Sequence, residues 1–88
     1  MSDVIFSGDA LDDYMYWQRQ DTKTLKRINK LLTELQRTPF EGTGKPEPLS
    51  SDKSGEWSRR IDEQNRIAYE CAGGTIRILR MRGHYGDK

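Results

Sequence analysis

Three side chains of this 88-residue chain could together move protons around a phosphate: Glu47, Arg66 and His84. His84 is the only histidine, and imidazole is the side chain best suited to exchange protons near neutral pH. Glu47 stands between Pro46 and Pro48. Both prolines restrict the backbone, and Pro48 turns Glu47 away from helix, so this carboxylate is held more tightly than one on a free loop. Arg66 lies in an arginine-rich stretch with Arg59 and Arg60, and guanidinium groups suit phosphate. RNA can be cut by its own 2′-hydroxyl if a base takes the hydroxyl proton. Positive charge must then surround the crowded phosphorane, and an acid must protonate the departing 5′-oxygen. Glutamate, arginine and histidine supply those functions without a metal or other cofactor. Taken singly, each has a plainer reading: an exposed histidine near the chain end, a surface glutamate in a stiff connection, a solvated arginine. Spacing in the sequence does not bring the three together.

Other chemistries find less support. No His/Cys cluster has metal-ligand spacing, and no nucleophile motif accompanies the histidine. The single cysteine, Cys71, excludes an internal disulfide and reads as a small core residue near a strand end. A cytoplasmic location fits that cysteine usage. No apolar run is long enough to span a membrane or to serve as a signal peptide.

The elements that must position these residues centre on Trp57–Tyr69, which reads as two short strands joined by a polar turn at Asp62-Glu63-Gln64-Asn65. Alternation puts Trp57, Arg59 and Ile61 on one side of the first strand, with Ser58 and Arg60 on the other. Arginine is rarely fully buried unless paired, so at least two of the hairpin's three guanidinium groups, those of Arg59, Arg60 and Arg66, should reach a surface.

Ahead of the hairpin, Val4-Ile5-Phe6 reads as a strand, with Ser7 or Asp9 able to cap the helix that follows. Leu11, Tyr14, Met15 and Gln18 fall at helical spacing, with Trp17 beside them. Asp21 then caps a second helix bearing Leu25, Ile28, Leu31, Leu32 and Leu35 on one stripe. Of these, Leu25, Ile28, Leu32 and Leu35, with Trp57, are expected to be buried between helices and sheet. Lys23, Lys26, Arg27 and Lys30 occupy the other face, solvated or facing RNA phosphates. Pro39 should end the helix near Arg37-Thr38. Residues 39–56 hold three prolines among glycines and form an ordered turn region or loop. Gly73-Gly74 is a tight turn before a last strand over Thr75–Arg82. The order is therefore strand, two helices, three strands. The expected fold is α+β, with both helices on one face of a mainly antiparallel four-stranded sheet, in one domain over residues 1–88.

The net charge of +1 hides an asymmetry. Residues 1–56 carry 8 Lys/Arg against 10 Asp/Glu, while residues 57–88 carry 7 against 4. The second half is thus a basic, arginine-rich surface or a set of internal ion pairs.

A set of longer motifs resembles the YoeB branch of the RelE superfamily of bacterial toxins. They begin with Asp12-Asp13-Tyr14-x-Tyr16-Trp17 and Arg37-Thr38-Pro39-Phe40-Glu41-Gly42-x-Gly44-Lys45-Pro46-Glu47-Pro48-Leu49. Ser54-Gly55-x-Trp57-Ser58-Arg59-Arg60-Ile61, Arg66-x-x-Tyr69 and His84-Tyr85 continue them, so the similarity spans nearly the whole chain in order and spacing. Gly83, where the family usually has an aromatic residue, is a departure.

The resemblance implies a β-α-α-β-β-β, RelE-like fold and a toxin that enters the ribosomal A site and cleaves translated mRNA. It implies neutralisation by a YefM-like antitoxin, and a homodimer. It makes Glu47 the general base, Arg66 the phosphate-stabilising arginine, His84 the general acid and Tyr85 an aromatic that orients or stacks on the substrate. It adds Lys45 and Arg59 as RNA contacts. Two other readings stay open: a non-catalytic ribosome- or RNA-binding inhibitor of translation, and a gyrase inhibitor of the ParE type. The Glu47–Arg66–His84–Tyr85 set disfavours the latter.

Overall fold

A computed structural model describes residues 2–48 and 55–83. Its elements are β1 (Asp3–Phe6), α1 (Gly8–Gln20), α2 (Thr22–Arg37), β2 (Glu47–Pro48), β3 (Glu56–Arg60), β4 (Arg66–Ala72) and β5 (Thr75–Arg80). The helix starts follow local capping chemistry. The Ser7 hydroxyl accepts from the Ala10 N–H at 3.1 Å and donates to the Leu79 carbonyl at 2.9 Å, so the cap also fastens α1 to β5. Asp21 alone separates the helices. Its carboxylate accepts from the N–H groups of Lys23 and Thr24 and from the Thr24 hydroxyl, and these bonds, the Thr24 hydroxyl first, hold its pKa below the usual carboxylate value.

The sheet has five strands in the order β1-β5-β4-β3-β2. The expected four-stranded sheet gains β2, a two-residue strand antiparallel to β3, with Glu47 opposite Ser58. β3–β4 and β4–β5 are antiparallel, whereas β1 runs parallel to β5. That parallel pair needs a long crossover, which the helices and the following hairpins supply. The α+β class and the helices' packing against the sheet follow expectation.

The core joins Ala10, Trp17, Ile28, Leu31 and Leu35 of the helices to Ile61, Ile67, Tyr69, Ile76, Ile78 and Met81. Two expectations need correction. On α2, Leu31 is buried, while Leu25 and Leu32 are half-buried. Trp57 is also half-buried and packs its ring 4.7 Å from that of Phe40. On α1, Leu11 and Met15 are exposed, at 49% and 45%. The face turned inward instead runs through Ala10, Tyr14 and Trp17, an equally regular stripe whose first member is too small to stand out. No helix among the described residues is long and apolar enough to cross a membrane.

Candidate active site

Strand alternation builds the site. Arg59, Ile67 and Tyr69 face the helices, so Ser58, Arg66 and Ala68 face the other side of the sheet. Pairing across β2, β3 and β4 aligns Glu47, Ser58 and Ala68 in one row. Arg66 stands at the start of β4 beside this row. Its Nη1 donates to Glu47 Oε2 at 3.2 Å and to Ser58 Oγ at 3.3 Å. Glu47 and Arg66, 19 residues apart, are thus in contact. The Glu47 side chain is 57% exposed and that of Arg66 17%, so the carboxylate is open to a ligand while the guanidinium is largely shielded. An exposed ion pair of this kind adds little stability. Both contacts, to Glu47 and to Ser58, run through Nη1.

The chain following β5 is brought to the same place. Met81 is held at both ends: its N–H donates to Asp13 Oδ2 at 2.8 Å, and its carbonyl accepts from the Trp17 indole at 2.8 Å. The Arg82 guanidinium lies 3.8 Å above the centre of the Tyr16 ring. The Gly83 carbonyl then accepts from the Arg66 N–H at 3.0 Å. His84 and Tyr85 follow immediately and lie outside the described residues.

Lys45 is exposed, two residues before Glu47, with a positive φ of 51°. The loop approaches β3 closely here. The Gly44 carbonyl accepts from the Arg60 N–H at 2.7 Å, and a Cβ on Gly44 would stand 2.9 Å from the Arg60 carbonyl oxygen. Glycine at 44 is therefore required by space as well as by its φ of 87°.

Arg59 departs from the RNA-contact expectation. It is fully buried, and its guanidinium faces inward. Nη1 donates to Glu34 Oε1 at 3.1 Å and to the Thr43 carbonyl at 3.3 Å. Nη2 donates to the carbonyls of Thr38 and Glu41, and Nε to the Tyr69 hydroxyl. That hydroxyl donates to the Pro39 carbonyl at 2.6 Å. Burial raises the Tyr69 pKa, and the nearby Arg59 opposes the rise. Arg59 fastens the 38–43 loop to α2 and β3, upstream of Glu47. The sequence carried the signal: Arg59 shares a strand face with Trp57 and Ile61, and a charge on an apolar face must find a buried partner. Glu34, its partner, offered no such signal.

Two further arginines are engaged within the fold. Arg77 pairs with Glu70 at 3.2 Å, and Arg27 donates to the Ile61 carbonyl at 2.9 Å. A groove of about 650 Å³ lies against α2, lined by Lys30, Glu34, Arg37 and Thr43 among others. Among the described residues no group of three His, Cys, Asp or Glu side chains could hold a metal ion. Burial raises the Cys71 thiol pKa, which disfavours its thiolate.

Residues 6–85 match the family model of YoeB-like toxins of bacterial type II toxin–antitoxin systems. The toxin YoeB of Escherichia coli K12 is 48% identical over 82 residues, covering 93% of this chain and 98% of that protein. The structure of a YoeB dimer from Staphylococcus aureus superimposes with a TM-score of 0.88 at 40% identity, covering 96% of this chain and 98% of that one. A YoeB–YefM complex from the same organism matches with a TM-score of 0.84 at 38% identity, over 97% and 99% of the two chains. On the strength of this full-length likeness in sequence and fold, the chain belongs to the YoeB-like toxins of bacterial type II toxin–antitoxin systems.

Proposed function

We propose that this toxin is a ribosome-dependent mRNA endoribonuclease, acting as one domain over residues 1–88. The observation that carries the reading is the 3.2 Å contact between Glu47 and Arg66 on the sheet face away from the helices. Glu47 takes the proton of a 2′-hydroxyl. The 2′-oxygen attacks the adjacent phosphorus, and charge builds on the non-bridging oxygens. Arg66 keeps Glu47 oriented through one nitrogen and offers its remaining N–H groups to those oxygens. His84, the next residue after the clamped Gly83, gives its proton to the 5′-oxygen as the P–O bond breaks. Tyr85 stacks on or orients the substrate. The products are a 2′,3′-cyclic phosphate and a 5′-hydroxyl. Base, charge and acid all come from side chains, so the step as written calls for no metal ion.

The ribosomal A site supplies what an 88-residue chain does not: a held, oriented mRNA. Exposed Lys45 contacts the RNA backbone beside the site. In the cytoplasm a YefM-like antitoxin neutralises the toxin, as the YoeB–YefM complex suggests by similarity, and the chain forms a homodimer like its S. aureus relative. The test is cleavage of one mRNA with and without programmed ribosomes. Cleavage that depends on ribosomes, with cut ends inside the A-site codon, supports the reading. Translation that stops with intact mRNA would favour inhibition by occupancy, and equal cleavage of naked RNA would remove the ribosome from the mechanism.

A further inference from the structure

Ser58 sits at the centre of the row that holds Glu47. β3 pairs with β2 on one side and with β4 on the other, so Ser58 lies opposite Glu47 across one ladder and opposite Ala68 across the next. This face of the sheet is turned away from the helices, yet Ser58 is fully buried. A buried hydroxyl is costly to leave without a partner. Its Oγ accepts from Arg66 Nη1 at 3.3 Å, along the diagonal of the β3–β4 pair. The same nitrogen donates to Glu47 Oε2 at 3.2 Å. Directly opposite Arg66 stands Arg60, a like charge with no side-chain acceptor to offer.

The two acceptors on Nη1 differ in rigidity and in chemistry. Glu47 belongs to the outermost strand, two residues long, and its side chain is 57% exposed. Ser58 belongs to an inner strand, and a single side-chain torsion places its oxygen. Glu47 loses its negative charge when it takes the 2′-hydroxyl proton. Its hold on the guanidinium therefore weakens as charge builds on the phosphate. The serine hydroxyl keeps the same charge throughout that step.

We propose that Ser58 is a positioning residue for cleavage: its buried hydroxyl holds the Arg66 guanidinium in place while Glu47 changes charge. The inference deepens the proposed function and rests on Glu47 as the base and Arg66 as the cation on the phosphate. Ser58 acts through Arg66 and does not meet the substrate. Loss of its hydroxyl should therefore slow cleavage only where Arg66 is present to be misplaced.

The experiment is a double-mutant cycle of Ser58→Ala and Arg66→Ala, read by single-turnover cleavage on programmed ribosomes. Ser58→Ala removes one oxygen and should be slower than wild type by about 10- to 100-fold, the scale of one hydrogen bond to a charged group. In the Arg66→Ala background the same change should alter the rate by less than about two-fold. Ribosome co-sedimentation of Ser58→Ala should match wild type, because the charge of Arg66 remains. If Ser58→Ala proves unfolded, Ser58→Cys, close in size with a weak acceptor, takes its place in both backgrounds. A variant as fast as wild type, a loss explained by weaker ribosome binding, or an equal loss with and without Arg66 overturns the proposal. Glu47→Gln and Arg66→Ala, each alone, separate the two levels. If either cleaves at the wild-type rate, the proposed function itself fails. If both are slow and the cycle shows no coupling, only the role of Ser58 fails.

Discussion

Replacing Arg59 by Met distinguishes an RNA contact from a structural tie. The guanidinium is fully buried and donates to Glu34, to three backbone carbonyls in the 38–43 loop and to the Tyr69 hydroxyl. Methionine fills part of the volume with an apolar chain but offers none of those donors. Each carbonyl that must turn to water instead costs about 1 kcal/mol net. The Glu34 carboxylate is 36% exposed on its side chain, so water can hydrate it and its loss of a partner adds little. The three carbonyls give a destabilisation of about 3 kcal/mol, which for a domain this small lowers the melting temperature by roughly 12–24 °C. The complementary change, Glu34→Ala, strands a fully buried positive charge and should cost at least as much, in the range of about 3–5 kcal/mol for a broken buried pair. Urea and thermal unfolding measure both. Cleavage should then be assayed at a temperature where the variants are folded, and the rate per folded molecule should fall only modestly. If Arg59→Met unfolds like wild type yet loses RNA cleavage, the reasoning from burial is refuted and the guanidinium is a substrate contact.

Leu35→Ala, at a fully buried position, should destabilise by about 2–5 kcal/mol, whereas Leu11→Ala on the exposed face of α1 should change unfolding by less than about 0.5 kcal/mol. The Asp21 cap should make stability sensitive to acid. Its pKa is lower folded than unfolded, so its contribution is complete above the ordinary carboxylate value and disappears as pH falls through the lowered one; unfolding curves of Asp21→Asn should lose that part of the acid dependence. Glu47→Gln and His84→Ala should each slow the chemical step by ~10²–10⁴-fold while ribosome binding holds, measured by single-turnover cleavage and by co-sedimentation. Arg66→Ala should also weaken binding of the mRNA, because it removes charge that the ground state feels as well as the transition state.

What the sequence disclosed was mostly local. Ser7 and Asp21 announce helix starts because a cap is satisfied within three residues, and Pro39 ends α2 for an equally local reason. The parallel pairing of β1 with β5 joins residues 72 apart, and no turn chemistry records it. β2 is two residues long, too short for any period to show. Leu31 and Leu32 occupy adjacent positions on one stripe, and only the sheet's location decides which turns inward. At the site, Glu47 and Arg66 were legible as chemistry but not as neighbours, since their contact depends on the β2–β3 register. Lys45 is exposed where a ligand could reach it, and Arg59 is not. Asn65 read only as a turn residue, because its bond to Gly83 spans 18 residues and a second hairpin.

The central claim is that Glu47 activates a 2′-hydroxyl for attack on the neighbouring phosphate. The most direct measurement places a 2′-O-methyl group at the scissile nucleotide of an mRNA held on programmed ribosomes, with the unmodified mRNA alongside. The unmodified strand should be cut to a 2′,3′-cyclic phosphate end, and the methylated strand should stay whole through the same time course. Cleavage of the methylated mRNA at the normal rate would contradict the account, whatever the family of the chain.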